Sequence, residues 1–299
     1  MRKGLIATLV LAAALLMPAP ASAWGFAAHR FIMDRAIGLL PPELKPFYEK
    51  YRDRLLVRVT DPDEWRNVGW DEDPNHFLNF GVPQFGSYPF AGLPREYGAA
   101  IEKFGMIALQ RTGTLPWREA EEFGNMRRTF ESFKNGNAYG ADNLVLFSAV
   151  AAHYIQDANQ PLHATNNYDG QLTGNVGIHS RFERDLLEKF EARLTITPTP
   201  PKAITNPRDA AFDALLAAYQ QVDPILKADT EAAAGRDAYD ADYFEKFFTK
   251  VKPILERQLA ASITATASII IGAWEQAGKP APALVGPRPV LPIKKPQGR

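Results

Sequence analysis

The histidines of this 299-residue chain stand where they could bind metal ions. There are five of them, and they are His29, His76, His153, His163 and His179. Two precede a carboxylate by four residues, in the pairs His153–Asp157 and His179–Glu183. Side chains four residues apart on a helix share one face, about 5–6 Å apart at Cβ, which is close enough to bind one ion. The chain has no cysteine, so nitrogen and oxygen must supply the ligands, a set that suits zinc or another divalent transition ion.

Each pair also has a purely structural explanation. The apolar run at 144–155 predicts a buried helix around His153, where burial of a histidine and an aspartate is costly unless they pair or bind a cation. A hydrogen bond between the two would suffice there, and a solvated helix face would explain His179–Glu183. The two pairs together, joined by a long loop and accompanied by further histidines near acidic residues, favour a metal site.

Helices must bring these residues together, because helical periodicity dominates the sequence and strand-like alternation is scarce. The predicted helices cover residues 29–40, 43–56, 95–110, 117–133, 143–160, 178–194, 210–226 and 241–277. Pro253 is expected to break or kink the last of them. Two long loops, 57–94 and 164–177, lie next to histidines, and the aromatic residues of the first argue for order. We therefore predict an all-α fold, a single compact multi-helix domain with long ordered loops around a buried metal cluster.

The start of the chain is typical of a signal peptide. A basic beginning precedes a short apolar stretch at 5–16 and an Ala-Ser-Ala sequence at 21–23. An N-terminal membrane anchor is the alternative. Cleavage after residue 23 would expose the α-amino group of Trp24, whose pKa of about 7.7–8 allows it to bind a metal once it is deprotonated. This start predicts a secreted or periplasmic protein.

The division that follows is a signal peptide at 1–23, a domain at 24–279 and a Pro-rich tail at 280–299. The formal net charge is +0, so no basic excess indicates a nucleic-acid binder by charge alone. We expect no integral membrane segment after cleavage, and nothing in the sequence implies an obligate protein partner. Without disulfides, stability must come from the core and from bound metal.

A longer motif connects these residues to a known family. From His153 the chain reads H-Y-x-x-D-x-N-Q-P-x-H-A-x-N, and from His179 it reads H-S-x-F-E. Together with Trp24 and the nearby His29, these motifs resemble the bacterial zinc-dependent phospholipases C. That family shares a superfamily with the secreted single-strand-specific zinc nucleases. The resemblance spans the chain from Trp24 to Glu183.

The resemblance implies three zinc ions per chain. The first would be held by Asp61, His76, His153 and Asp157. The second would be held by His163, His179 and Glu183, and the third by the amine and carbonyl of Trp24 with His29 and a bridging Asp157. Two close zinc ions would lower the pKa of a shared water and generate hydroxide for in-line attack on phosphorus. Asp61 would also act catalytically, by orienting or deprotonating that water, with Asp63 as the alternative ligand.

Two substrate classes remain open, phospholipid and single-stranded nucleic acid. In the nuclease branch Phe77 would stack on a base and Asn79 would read its edge, whereas in the phospholipase branch nearby aromatic residues line the head-group pocket. Asn166 and Glu183 favour the phospholipase, and the short interval between Trp24 and His29 favours the nuclease. The candidate substrate-binding residues are Phe77, Asn79 and Asn166. We predict a trinuclear zinc phosphodiesterase that is phospholipase C-like, with the nuclease as first alternative and a non-catalytic zinc-binding protein as the second.

Overall fold

A computed structural model describes residues 24–137 and 140–284 of the chain. The predicted signal peptide and residues 285–299 of the predicted tail lie outside the described residues. Within the described ranges the chain is helical, and its only β-type pairing is one isolated bridge between Phe80 and Thr165. The predicted all-α class and single compact domain are confirmed.

The helices are numbered in chain order. They are α1 Phe26–Gly38, α2 Lys45–Lys50, α3 Arg52–Arg58, α4 Asp61–Asn67, α5 Tyr97–Phe104, α6 Met106–Thr112, α7 Leu115–Ser132, α8 Gly140–Asp157, α9 Ile178–Ser180 continuing through a π-helical turn Arg181–Asp185 into Leu186–Phe190, α10 Pro207–Tyr219, α11 Val222–Ala233 and α12 Ala241–Gln276. Short 3₁₀ turns occur at Asp73–His76, Pro83–Phe85, Phe133–Asn135, Pro161–Ala164 and Glu191–Arg193.

Helix α8 lies at the centre of the domain. Of its 18 residues 14 are buried, in keeping with its nearly uniform apolar sequence. Helices α1, α3, α7 and α12 pack around it. Its C-terminal end carries His153 and Asp157, both fully buried, so the core of the fold directly holds the first predicted ligand pair.

Several predicted helices are divided in the structure. The predicted helix at 95–110 ends at Phe104 and restarts at Met106, because Gly105 has a φ of +81° that a helix cannot contain. The predicted helix at 43–56 divides at Tyr51.

The first long loop was predicted without helix, and this was wrong for its beginning. Helix α4 starts at Asp61 with proline in its first turn and acidic side chains at its N-terminus. Both features stabilise a helix start, since proline has no N–H to leave unpaired and carboxylates interact favourably with the helix dipole. The correction matters because α4 contains Asp61 and Asp63.

The last predicted helix is confirmed as α12, but the expected break at Pro253 is wrong, because the helix runs without interruption through that residue. Among the described residues it is the one helix long and apolar enough to cross a membrane by length and composition. Of its most apolar window 56% is buried inside the protein, as expected for a core helix. It packs along α1, α7, α8 and α11.

Candidate metal centre

The carboxylate of Asp157 contacts histidines from four parts of the chain. Its Oδ2 lies 3.2 Å from Nε2 of His153, one helical turn earlier, and 3.1 Å from Nδ1 of His76. The same oxygen is 3.7 Å from Nδ1 of His163, and Oδ1 is 3.4 Å from Nε2 of His29. All five side chains are buried. A carboxylate at this position can bind more than one cation at once.

The buried histidines and acids form three groups, two of which share His153, and each group has ligand atoms within 4.8 Å of one another. The groups are His29, His153 and Asp157; Asp63, His76 and His153; and His163, His179 and Glu183. We call their eight members the metal centre. All five histidines of the chain belong to it.

The histidine rings are held by hydrogen bonds on the side facing away from the centre. In four of them Nδ1 pairs with a carbonyl oxygen: His29 with Gln156 Oε1 at 2.6 Å, His153 with Val59 O at 2.8 Å, His163 with His76 O at 2.6 Å and His179 with Tyr168 O at 3.0 Å. A carbonyl only accepts, so each Nδ1 carries the hydrogen, and in the neutral ring each Nε2 keeps a lone pair. Metal-binding histidines are oriented by this kind of partner.

Backbone hydrogen bonds between two distant segments bring His76 and His163 together. The N–H of Leu78 donates to the carbonyl of His163 at 3.0 Å, and the N–H of Phe80 donates to the carbonyl of Ala164 at 3.1 Å. Gly113 lies against the first segment with a φ of +101°, and a Cβ there would sit 2.1 Å from the carbonyl oxygen of Phe77. Only glycine permits this approach.

The pair His179–Glu183 lies on α9, with Nε2 and Oε2 3.0 Å apart. Glu183 belongs to the π-helical turn, a distortion that is frequent at functional sites. The Nε2 amide of Gln160 donates to the same Oε2 at 2.8 Å, so two groups hold the carboxylate in place.

Burial and neighbouring charge shift the pKa values of the centre. Burial raises the pKa of Glu183 to about 7 against the opposing effect of His179. Burial also lowers the pKa of His163 to about 3. For Asp157 burial acts upward, but His153 and His163 outweigh it and hold its pKa well below the usual range. These protein groups alone therefore favour an ionised Asp157 beside a neutral His163, which is the state that binds a cation.

A metal ion fits the residues present, because several buried polar atoms of the centre lack a hydrogen-bond partner. They are Nε2 of His29, Nε2 of His76, both carboxylate oxygens of Asp63 and Oδ1 of Asp157. Buried polar groups are normally paired, and unpaired ones cost free energy. Nitrogen and oxygen donors pointing at one another across less than 5 Å are what a divalent cation would satisfy.

The structure separates the two candidate aspartates of α4. Asp63 is fully buried, with Oδ1 3.8 Å from Nδ1 of His76. The side chain of Asp61 is 24% exposed, lies 3.4 Å from Arg58 and belongs to none of the three groups. Residues two apart on a helix point to nearly opposite faces. The geometry places Asp63 in a candidate ligand group, and the choice of either aspartate as a ligand stays a prediction.

A cleft of about 330 Å³ opens onto the centre. It is lined by Arg66, Asp73, His76, Phe77, Asn79, Arg111, Leu162, His163, Tyr168 and His179. Two candidate substrate-binding residues, Phe77 and Asn79, thus line the cleft, and their role in binding stays a prediction. The third, Asn166, does not line the cleft: its amide donates to the carbonyl of Gly81 at 3.4 Å, so it joins two loops instead.

Comparison with known proteins agrees with this geometry. No family model matches the chain. Two proteins from Bacillus cereus, both named phospholipase C, are 26% and 27% identical to it over 254 residues, which is 82% of this chain and 80% of theirs. Over most of its length the chain is similar to bacterial phospholipase C. This confirms the predicted resemblance to that family, while the link to the nucleases stays a prediction.

The structure also places at the site residues that the sequence did not predict. Gln156 orients His29 and also accepts, through its carbonyl, a hydrogen bond from the indole of Trp24 at 2.9 Å. Trp24 is therefore next to the centre, and the role of its amine remains a prediction because residue 23 lies outside the described residues. Arg66 and Arg111 line the cleft. Arg66 could have been predicted, because it is a charged residue in a segment rich in aromatic residues. Nothing in the sequence distinguishes Arg111 from other surface arginines.

Proposed function

We propose that this protein is a zinc-dependent phosphodiesterase of the phospholipase C type that binds three zinc ions. The observation that carries the proposal is the convergence of eight buried side chains in three candidate ligand groups, with unpartnered donor atoms in the two groups that share His153. The relation to two proteins named phospholipase C supports phosphodiester hydrolysis. Bound zinc would supply a water of lowered pKa and positive charge beside the substrate phosphate.

The protein groups around the centre have separate tasks in this proposal. The carbonyl partners of the histidines hold each imidazole in its metal-binding tautomer. Asp157 would bridge two ions, since its oxygens face different histidines. Arg66 lies 3.4 Å from Asp63 and lines the cleft, so its guanidinium can bind a phosphate oxygen while it orients that carboxylate.

We further propose Asp63, and not Asp61, as the ligand from α4 and as the group that orients the attacking water. Asp63→Asn should lower the zinc content and abolish most of the hydrolysis. Asp61→Asn, two residues away on the other helix face, is the matched control and should keep both. Loss of zinc in the Asp61 variant alone would reverse the assignment.

A nuclease remains a second candidate, because Phe77 and Asn79 both line the cleft and Oδ1 of the nearly buried Asn79 has no hydrogen-bond partner. One zinc-loaded preparation should be tested on phospholipid vesicles and on single-stranded DNA and RNA, with and without chelator. Release of a phosphorylated head group supports the phospholipase, and release of acid-soluble nucleotides without lipid hydrolysis supports the nuclease. No hydrolysis of either by protein that holds its zinc would leave a zinc-binding protein.

The proposal includes export, with residues 1–23 as signal peptide and a secreted or periplasmic mature protein. Mass spectrometry of the exported protein should find Trp24 as its first residue. An intact residue 1–23 segment in active, zinc-loaded protein would exclude the amine of Trp24 from the third group of ligands.

A further inference from the structure

Strongly exposed hydrophobic side chains are concentrated on three segments of the described chain. Seven large hydrophobic side chains among the described residues are more than half exposed, and six of these lie at 68–70, 106–107 and 172–176. The six are Val68, Trp70, Met106, Ile107, Leu172 and Val176, with exposed fractions between 53% and 71%. We call them the apolar rim. The seventh, Val57, lies apart on α3.

Each rim segment lies, along the chain, within four residues of residues that line the cleft. Val68 and Trp70 lie between the lining residues Arg66 and Asp73. Leu172 follows the lining residue Tyr168 by four positions, and Val176 precedes His179 by three. On α6, Ile107 is one helical turn before the lining residue Arg111, on the same helix face. The three rim segments therefore adjoin the cleft lining along the chain.

The rim side chains are held outward by ordered backbone. The ring of Trp70 stacks on Trp65 at 5.5 Å, and the N–H of Trp70 donates to the carbonyl of Trp65 at 3.0 Å. The N–H of Leu172 donates to Oδ1 of Asn167 at 2.8 Å. Nη1 of Arg181 donates to the carbonyl of Val176 at 2.8 Å. Fixed apolar side chains in water cost free energy unless a partner covers them, so a set gathered at one opening indicates an interaction surface.

The charges inside the rim indicate the kind of partner. Arg66 and Arg111 line the cleft, and the Arg66 side chain is 11% exposed. Arg111 is exposed, and no hydrogen bond or ion pair joins its side chain to any of the described residues. An apolar ring around an exposed guanidinium group matches a lipid surface, where acyl chains lie below a layer of phosphate groups. A nucleic acid would instead require charge on the rim itself, because its outer surface is the phosphate backbone.

We propose that the apolar rim docks the cleft onto a phospholipid bilayer, so that a lipid can enter the cleft directly from the membrane surface. This inference rests on the proposed phospholipase function and assigns to it a surface that the metal centre does not require. Docking of this kind is peripheral, with the rim side chains entering the boundary between head groups and acyl chains.

The test is co-sedimentation of zinc-loaded protein with vesicles of phosphatidylcholine, alone and mixed with phosphatidylglycerol. Ile107→Ser and Leu172→Ser should each weaken vesicle binding by about tenfold, because each removes most of one buried aliphatic side chain from the bound state. Val57→Ser is the matched control, since Val57 is 62% exposed but lies nine residues from the nearest lining residue in the sequence. It should bind as the unchanged protein does. Equal binding by all four proteins would overturn the proposal.

Hydrolysis assays distinguish a defect in membrane docking from a defect in the active site. The Ile107 and Leu172 variants should lose hydrolysis of vesicles in parallel with binding, and should retain hydrolysis of a short-chain phosphatidylcholine kept below its micelle concentration. Unimpaired vesicle hydrolysis by both variants contradicts docking and leaves the proposed phospholipase intact. Failure of the unchanged protein to cleave the monomeric lipid, with vesicle binding preserved, contradicts the phospholipase and leaves the surface as a membrane-binding one.

Discussion

Two buried polar clusters of this protein differ in whether the protein alone satisfies them. Around Arg181, which we take with Asn175, Asp229 and Tyr243 as the Arg181 network, every charged group has protein partners. The guanidinium donates to both oxygens of Asp229 at 3.0 and 3.1 Å and to the carbonyls of Asn175 and Val176. Asn175 and Tyr243 donate to the same carboxylate.

The metal centre is equally buried, but several of its oxygen and nitrogen atoms have no hydrogen-bond partner. Its unpartnered atoms are on His29, Asp63, His76 and Asp157, and no atom of the Arg181 network is among those without a partner. A buried ion pair whose hydrogen bonds are all made stabilises the fold only when both partners keep that geometry. An incomplete cluster of buried nitrogen and oxygen donors leaves atoms that a bound cation can satisfy. The difference predicts that substitutions in the two clusters affect different properties.

The largest effect is expected for Asp157→Asn. The amide cannot bridge two cations, so zinc content should fall and hydrolysis should decrease roughly a thousandfold or more, because several kcal/mol of charge stabilisation is lost. Metal analysis and kinetics on the same preparation check this. A variant that keeps three zinc ions and full activity would contradict the proposed difference between the metal centre and the Arg181 network.

Asp229→Asn is the corresponding change in the Arg181 network. It leaves the guanidinium, which is 7% exposed, without its carboxylate. We expect a loss of about 3–5 kcal/mol in the free energy of unfolding, because a buried charge becomes unpaired. Urea denaturation measures it. Zinc content per folded chain should not change, and a loss of zinc without a loss of stability would show that the two clusters are coupled.

Gln156→Ala should have an intermediate effect confined to one group of the metal centre. The ring of His29 loses the acceptor that fixes its tautomer, so we expect about 10–100-fold weaker binding of one zinc ion. Titration of activity against free zinc would show it. Gln156→Glu keeps an acceptor and should restore binding. Gln258→Ala, which removes a buried amide that pairs with the carbonyl of Asn159, is the control.

The smallest effect concerns Glu119, a buried carboxyl of α7 with neither metal nor partner. Burial first, and then Glu122, raises its pKa well above the usual 4.5. Since the folded pKa exceeds the unfolded one, the contribution of Glu119 to stability is complete below about pH 4 and is lost as the pH rises. Glu119→Gln should therefore stabilise the protein by about 1–3 kcal/mol at pH 8 and much less at pH 5.

Thermal unfolding at the two pH values checks the last prediction. Glu121→Gln, two residues away on the same helix and 60% exposed, is the matched control. Its effect should stay within about 0.5 kcal/mol at both pH values. Equal stabilisation by the Glu119 variant at pH 5 and pH 8 would contradict a raised pKa.

The parts of the site that the sequence predicted correctly are those set by local geometry. His153 and Asp157 are 3.2 Å apart, and His179 and Glu183 are 3.0 Å apart, because a four-residue helical step determines both distances. The central position of α8 also followed from its apolar composition. Such features depend on neighbours along the chain, which a sequence displays directly.

The sequence predicts short helices within loop regions less well. The first turn of α4 carries start signals, yet its Pro and Asp content is equally typical of a loop, so the sequence predicts an irregular region there. Without that helix, Asp61 and Asp63 could not be assigned to different faces. The choice between them required the position of α4 against α8, which no periodicity encodes.

The sequence by itself determined an all-α domain and the residue types of a nitrogen and oxygen metal centre, since periodicity and composition suffice for both. Only the tertiary structure decided that Asp63 faces His76, that backbone carbonyls orient three of the histidines, and that exposed apolar side chains gather at the cleft. These arrangements depend on packing and on backbone hydrogen bonds between segments far apart in the chain. Neither leaves a regular pattern in the order of the residues.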